Sequence, residues 1–128
     1  MHKLIILFES PDNGSAVDYH NGRAVTYHNE QAFQLGWQKF LGLAEKIPAL
    51  RRETVSRVAQ KLFGKPEGEV ALIHELLFDS KEALEAAMAS PEGQAAGAFL
   101  QSFTGGRVVL LTAEHLEAGE KDFVKRKT

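Results

Sequence analysis

Three of the five histidines stand where a base would be of use: His20, His28 and His74. An imidazole titrates near neutral pH, which suits general acid–base work. His28 follows Tyr27 and precedes a helical stretch, so it falls at the expected mouth of a pocket. An exposed loop histidine is the commoner case at such a place. His20 sits at the tip of an expected hairpin, where exposure is commoner still. His74 lies in mid-strand among apolar residues, with Glu75 beside it. Polar groups in such a strand must be hydrogen-bonded or line a cavity. Strand neighbours point to opposite faces, so His74 and Glu75 cannot form a local dyad. His74 and His28 are therefore the candidate catalytic residues, and a structural role for each is the competing reading.

Other chemistries find less support. The chain has no cysteine, which excludes disulfides, thiolate nucleophiles and thiolate metal sites. No His-x-x-x-His or comparable pair falls on a helix or strand, so no metal is expected. Gly105-Gly106 is a turn before a strand, not a phosphate loop opening a helix. No nucleophile elbow occurs, and no cofactor is expected. The aromatic residues Tyr27, Phe33, Trp37, Phe40, Phe99 and Phe103 are candidates to line an apolar pocket, the usual character of a small-molecule site. Such a set is more often plain core.

The elements that must position these residues follow from periodicity. Lys3 to Phe8 reads as a strand that is apolar on both faces. Asn21-Gly22 between the β-prone runs 17–19 and 24–27 signals a small hairpin, against the alternative of an irregular loop. Asn29 is a plausible N-cap. Phe33, Gly36, Trp37, Phe40, Ala44 and Ile47 then share one helical face, and Pro48 stops that helix. Leu50 to Val58 and Val70 to Phe78 read as strands. Asp79 or Ser80 caps a second helix with the buried stripe Leu84, Ala87, Met88. Ser90-Pro91 restarts or kinks that helix, which runs on toward Phe103. Arg107 to Glu114 is the last strand.

The order β, α, β, β, α, β is that of a ferredoxin-like α+β fold. It comprises a four-stranded antiparallel sheet with two helices on one face. A chain of 128 residues is expected to be one domain, here 1–115 with an inserted hairpin or loop at about 12–29 and a mobile tail at 116–128. Three strands are apolar on both faces, whereas two helices cover only one. The uncovered face exceeds what monomers usually expose. A second copy of the same sheet would cover it, giving a two-fold homodimer; folding of the insertion or tail over it is the alternative. A net charge of −2 gives no reason to expect nucleic acid. The apolar run Leu4 to Phe8 is too short for a signal peptide or a membrane span, so a cytoplasmic protein without membrane contact is expected.

Four segments in this order and spacing resemble the EthD family, named for a component of ethyl tert-butyl ether degradation. They are Ile47-Pro48-Ala49-Leu50-Arg51-Arg52, Glu75-Leu76-Leu77-Phe78-Asp79-Ser80, Glu82-Ala83-Leu84 with Ala89-Ser90-Pro91-Glu92-Gly93, and Arg107 to Glu114. The resemblance implies a dimeric α+β barrel in which the sheets of two protomers pair. It also implies a pocket between sheet and helices. It departs at the first helix, where the family usually carries a histidine at the position of Phe40, and often a tryptophan at that of Gly36, with Trp37 beside it here. A phenylalanine lines a pocket but cannot move a proton.

Three functional readings follow. The first is a cofactor-independent enzyme, or an accessory protein of a degradation pathway, acting on an apolar or aromatic small molecule. His74 or His28 would serve as acid–base, and Trp37 and Phe40 as apolar walls. The second is a non-catalytic binding or carrier module. The third, implied by related barrels, is a haem-handling monooxygenase-like protein. An all-apolar pocket favours the carrier; polar groups converging beside an apolar wall favour the enzyme.

Overall fold

Alternation along the strands decides the architecture of this chain. A computed structural model describes residues 1–10, 17–20, 23–26, 30–64 and 69–122, with backbone alone at 17–20 and 23–26. The Asn21-Gly22 turn, Tyr27, His28 and the Asn29 cap lie outside these residues. The elements run β1 (His2–Glu9), β2 (Val17–His20), β3 (Arg23–Thr26), α1 (Glu30–Ala44), β4 (Arg52–Arg57), β5 (Val70–Phe78), α2 (Lys81–Ala89), α3 (Pro91–Thr104) and β6 (Val108–Glu114). Strands β2 and β3 form a separate two-stranded sheet, in register from Val17↔Thr26 to His20↔Arg23.

The main sheet has the order β4-β5-β1-β6, and its neighbours are antiparallel. That order is linear. Strands β4 and β6 are its two edges and do not pair with each other. The sheet is therefore open, which corrects the expectation of an α+β barrel. The physical reason is strand number: about eight strands are needed before a closed sheet has room for its interior side chains. The ferredoxin-like arrangement itself stands, with helices α1, α2 and α3 over one face.

On that face Leu4, Ile6 and Phe8 of β1 and Leu72, Leu76 and Phe78 of β5 are buried. They pack against Phe33, Trp37, Phe40 and Ala44 of α1, Leu84 and Ala87 of α2, and Ala96 and Leu100 of α3. Apolar residues occupy the other face too. Ile5, Leu7 and Ile73 alternate with the buried set, and the register sets Ile5 beside Leu111 and Leu7 beside Val109. Val109 and Leu111 remain 44% and 46% exposed. Glu75 also lies on this open face. Its carboxylate meets the Lys3 ammonium at 2.7 Å and accepts from the Thr54 hydroxyl at 3.0 Å. These partners, Lys3 foremost, hold its pKa below the usual carboxylate value.

The helix ends are set by local chemistry. Helix α1 stops at Ala44, ahead of Pro48, through a tightened turn in which Ile47 N–H donates to the Ala44 carbonyl at 3.0 Å. The cap of α2 is Ser80, which accepts from Ala83 N–H at 3.1 Å; Asp79 instead receives Arg51 Nε at 2.9 Å. Ser90 serves both sides of the break between α2 and α3. Its hydroxyl accepts from Gly93 N–H at 3.0 Å and donates to the Ala87 carbonyl, and Pro91 follows at the first helical position.

This break brings two turns so close that Gly93 has no room for a side chain. A β-carbon there would overlap the Ala87 carbonyl oxygen, whereas one at Gly97 meets nothing within 4 Å. The two glycines of α3 should thus respond oppositely. Gly93→Ala is expected to destabilise by roughly 1–3 kcal/mol through backbone displacement. Gly97→Ala is expected to stabilise by up to about 1 kcal/mol through helix propensity. Urea denaturation of both variants checks this pair of signs.

Candidate functional site

Between α3 and the helix-facing side of the sheet lies a cavity of about 350 Å³. It exists because α3 turns small residues inward: Gly93, Ala96 and Gly97 line it at helical spacing. The opposite wall is Leu4 and Ile6 of β1, with Leu76 and Phe78 of β5. Phe40 of α1 and Leu100 of α3 contribute to the remainder. Met88 and Leu110, each about two-fifths exposed, also border it. Among the described residues its polar lining side chains are Gln94 and Gln101. A small-molecule site has this size and apolar character. Among the described residues the lining includes no titratable side chain.

Behind Phe40 the character changes. His74 projects from β5 toward the helices and is fully buried. The Phe40 ring meets its imidazole edge-on at 5.7 Å between centroids, and the Trp37 ring does so at 6.4 Å. From β4, Glu53 brings a carboxylate oxygen to 3.5 Å from His74 Nε2, too long for a formed hydrogen bond. Among the described residues neither imidazole nitrogen has a hydrogen-bond partner, and neither do Trp37 Nε1 and Glu53 Oε2. The Arg57 guanidinium lies over the Trp37 ring, 5.5 Å from its centroid. Burial lowers the His74 pKa to about 4, so the ring is neutral around pH 7. Burial raises the Glu53 pKa, and the Glu45 carboxylate raises it further.

The structure distributes the candidate residues unevenly. Phe40 both lines the cavity and touches His74. Phe33 and Trp37 are buried in the core under α1. Phe99 and Phe103 are half-buried and stack on each other at 5.3 Å, away from the cavity lining. His20 lies at the end of β2, opposite Arg23. His28 and Tyr27 lie outside the described residues. Glu53 was not foreseen. Its approach to His74 depends on the β4–β5 register, which pairs it with Leu76 and Val55 with His74, and no pattern within β4 encodes that pairing. The inward glycines and alanine of α3 did carry a signal, since small residues spaced three and four apart leave room on one helical face.

Among the described residues, no group of three histidine, aspartate or glutamate side chains is placed to hold a metal ion. No helix there is long and apolar enough to cross a membrane.

Comparison with known proteins places this geometry. No family model matches the chain. A relative from Rhodococcus erythropolis, an uncharacterised 11.0 kDa protein of the thcB–thcC intergenic region, is 30% identical over 87% of this chain and 91% of its own length. The crystal structure of an ethyl tert-butyl ether D (EthD) family protein from Bacillus halodurans superposes with a TM-score of 0.68. It is 31% identical and covers 91% of this chain and 99% of the other. SnoaB, a cofactor-independent oxygenase from Streptomyces nogalater, shares the fold at 11% identity, with a TM-score of 0.56 over 91% of this chain and 94% of its own. Several ferredoxin-like proteins of the same fold are described as dimeric.

Buried His74 and partly buried Glu53 impose two opposed dependences on pH. Unfolded His74 takes up a proton below its ordinary value of 6.5, while the folded ring resists until about pH 4. Stability is therefore lost as pH falls through that window, on the order of 3 kcal/mol at about 1.4 kcal/mol per pH unit. Glu53 acts in the other direction. Its raised folded pKa makes stability fall as pH rises above 4.5 toward that raised value. His74→Leu is expected to remove most of the acid-side loss between pH 6.5 and 4. Glu53→Gln is expected to steepen it. Denaturant midpoints measured across this range check both signs.

Proposed function

The chain belongs to the EthD family, and on that premise we propose that it binds an apolar or aromatic small molecule in the cavity between α3 and the sheet. The cavity carries the reading: about 350 Å³ of space walled by aliphatic and aromatic side chains. Its lining favours a binding or carrier role over chemistry performed on its own surface. A specific observation supports a second reading. His74 stands directly behind the Phe40 wall with both nitrogens unpaired among the described residues, and its neutral ring has a free acceptor to offer a substrate proton in a cofactor-independent enzyme. The fold shared with the cofactor-independent oxygenase SnoaB supports that reading at the level of architecture. His28 remains the other candidate base.

The working unit we propose is a homodimer joined through the open sheet face. Ile5, Leu7, Ile73, Val109 and Leu111 form its apolar centre by strand alternation. The Lys3–Glu75–Thr54 network contributes polar groups to that face. Packing of this face against its copy satisfies the requirement that a two-fold interface be self-complementary. The dimeric state of several relatives supports it.

Two measurements test these readings. N-phenyl-1-naphthylamine, a neutral apolar dye that brightens out of water, is expected to bind the wild-type chain. Gly97→Leu fills the cavity and is expected to weaken that binding about tenfold or more, the effect of burying one aliphatic side chain in ligand space. Absence of dye binding to the wild type would remove the cavity reading. Light scattering is expected to give twice the 14.1 kDa chain mass. The double variant Val109→Glu with Leu111→Glu is expected to return the single-chain mass.

A further inference from the structure

Four polar atoms are buried in one place without a hydrogen-bond partner among the described residues, Trp37 Nε1, Glu53 Oε2 and both ring nitrogens of His74, with the Glu45 carboxyl close to that of Glu53. Buried polar groups in folded proteins are nearly always paired, because each unpaired one forfeits its hydration without return. His74 is wholly buried and Trp37 is 8% exposed, so bulk water does not serve them. The cluster also adjoins the cavity. Phe40, Ile6 and Leu76 line that cavity. The same three residues surround His74: Phe40 by its ring, Ile6 by strand pairing, and Leu76 two residues along the same face of β5.

We infer that Trp37, Glu53 and His74 form a polar compartment behind Phe40 that recognises the hydroxyl of an alcohol or phenol whose apolar body fills the cavity. The inference rests on the cavity reading given above.

The donor and acceptor inventory selects a hydroxyl. The indole Nε1–H of Trp37 only donates. A neutral imidazole donates from one nitrogen and accepts at the other. The Glu53 carboxylate, 3.5 Å from Nε2, favours the proton on that nitrogen and leaves Nδ1 as acceptor. A hydroxyl alone among simple neutral oxygens gives and takes at one atom, so it can donate to Nδ1 while accepting from Trp37. An ether oxygen accepts but leaves the imidazole unpaired. A hydrocarbon pairs with neither. A carboxylate would be set against Glu53 and repelled. The Trp37 and His74 rings meet edge to face with their centroids 6.4 Å apart, so their polar edges belong to one compartment. The Phe40 ring stands between cavity and compartment, and the inference requires that it turn aside to admit the hydroxyl.

The test compares 4-propylphenol with its methyl ether, 4-propylanisole, by calorimetric titration. The chain has one tryptophan, so its emission reports on the compartment directly. The phenol is expected to bind about tenfold tighter or more, the worth of a satisfied buried hydrogen bond. Only the phenol is expected to shift Trp37 emission. His74→Leu is expected to reduce the phenol preference to about twofold or less, since it removes the acceptor. Equal affinities in the wild-type protein would overturn the inference and leave the cavity reading standing. So would a preference that survives His74→Leu. Failure of both ligands to bind would overturn the cavity reading and this inference with it. The wild-type comparison decides the matter without any variant, so a poorly folding His74→Leu protein would not shelter the idea.

Discussion

Strand alternation forces each successive residue of the two central strands onto opposite faces, and both faces of β1 and β5 are apolar. Everything else in the molecule answers to that constraint. The helices cover one face and make the core. The other face is left with Ile5, Leu7, Ile73, Val109 and Leu111, an apolar set that no helix covers. The single step from His74 to Glu75 crosses between these environments. His74 enters the helix side and meets two aromatic rings and no hydrogen bond. Glu75 enters the open side and meets Lys3 and Thr54. Two adjacent polar residues thus have opposite electrostatic fates, one pKa lowered by desolvation and the other lowered by partners.

Much of this was legible in the chain itself. The apolar run from Val70 to Phe78 is the fifth strand to the residue, because turn residues bound it on both sides. The break at Ser90 was legible because a capping hydroxyl followed by proline can start a helix but cannot continue one. The resemblance to the family was carried by segments of this kind, which are governed by local rules. Closure of the sheet was not legible. Alternation says which face a residue occupies and nothing about whether two edges meet, and β4 and β6 do not. The site was the least legible part. Glu53 reaches His74 through the register of an edge strand six residues long, and that register is settled by the partner strand. A cavity is a shortage of atoms on α3 facing a surplus of space. It emerges only once the helix has a distance from the sheet.

The aromatic residues show why residue type alone misleads about pockets. Phe33, Phe99 and Phe103 share the composition expected of an apolar binding wall, yet they fill the seam between α1, α3 and β1. Their bulk makes them good at filling space, and filled space is not a site. The cavity forms where the helix carries glycine and alanine instead. Of the aromatic candidates described, Phe40 stands at the boundary, because its helical position faces both the cavity and β5.

That boundary gives the departure at position 40 its meaning. The resemblance leads one to expect an imidazole on α1 there, and this chain has an imidazole on the facing strand with its ring against Phe40. A fold that only needed to fill the space would do so more cheaply with leucine. An unpaired buried polar group costs about 1–3 kcal/mol, and this one sits beside an unpaired indole N–H and an unpaired carboxylate oxygen. Where local choices work against stability, function is the usual reason. The cavity supplies the apolar half of a ligand site and lacks titratable groups, while the cluster supplies polar groups and lacks space. Each has what the other wants, and a single phenyl ring divides them.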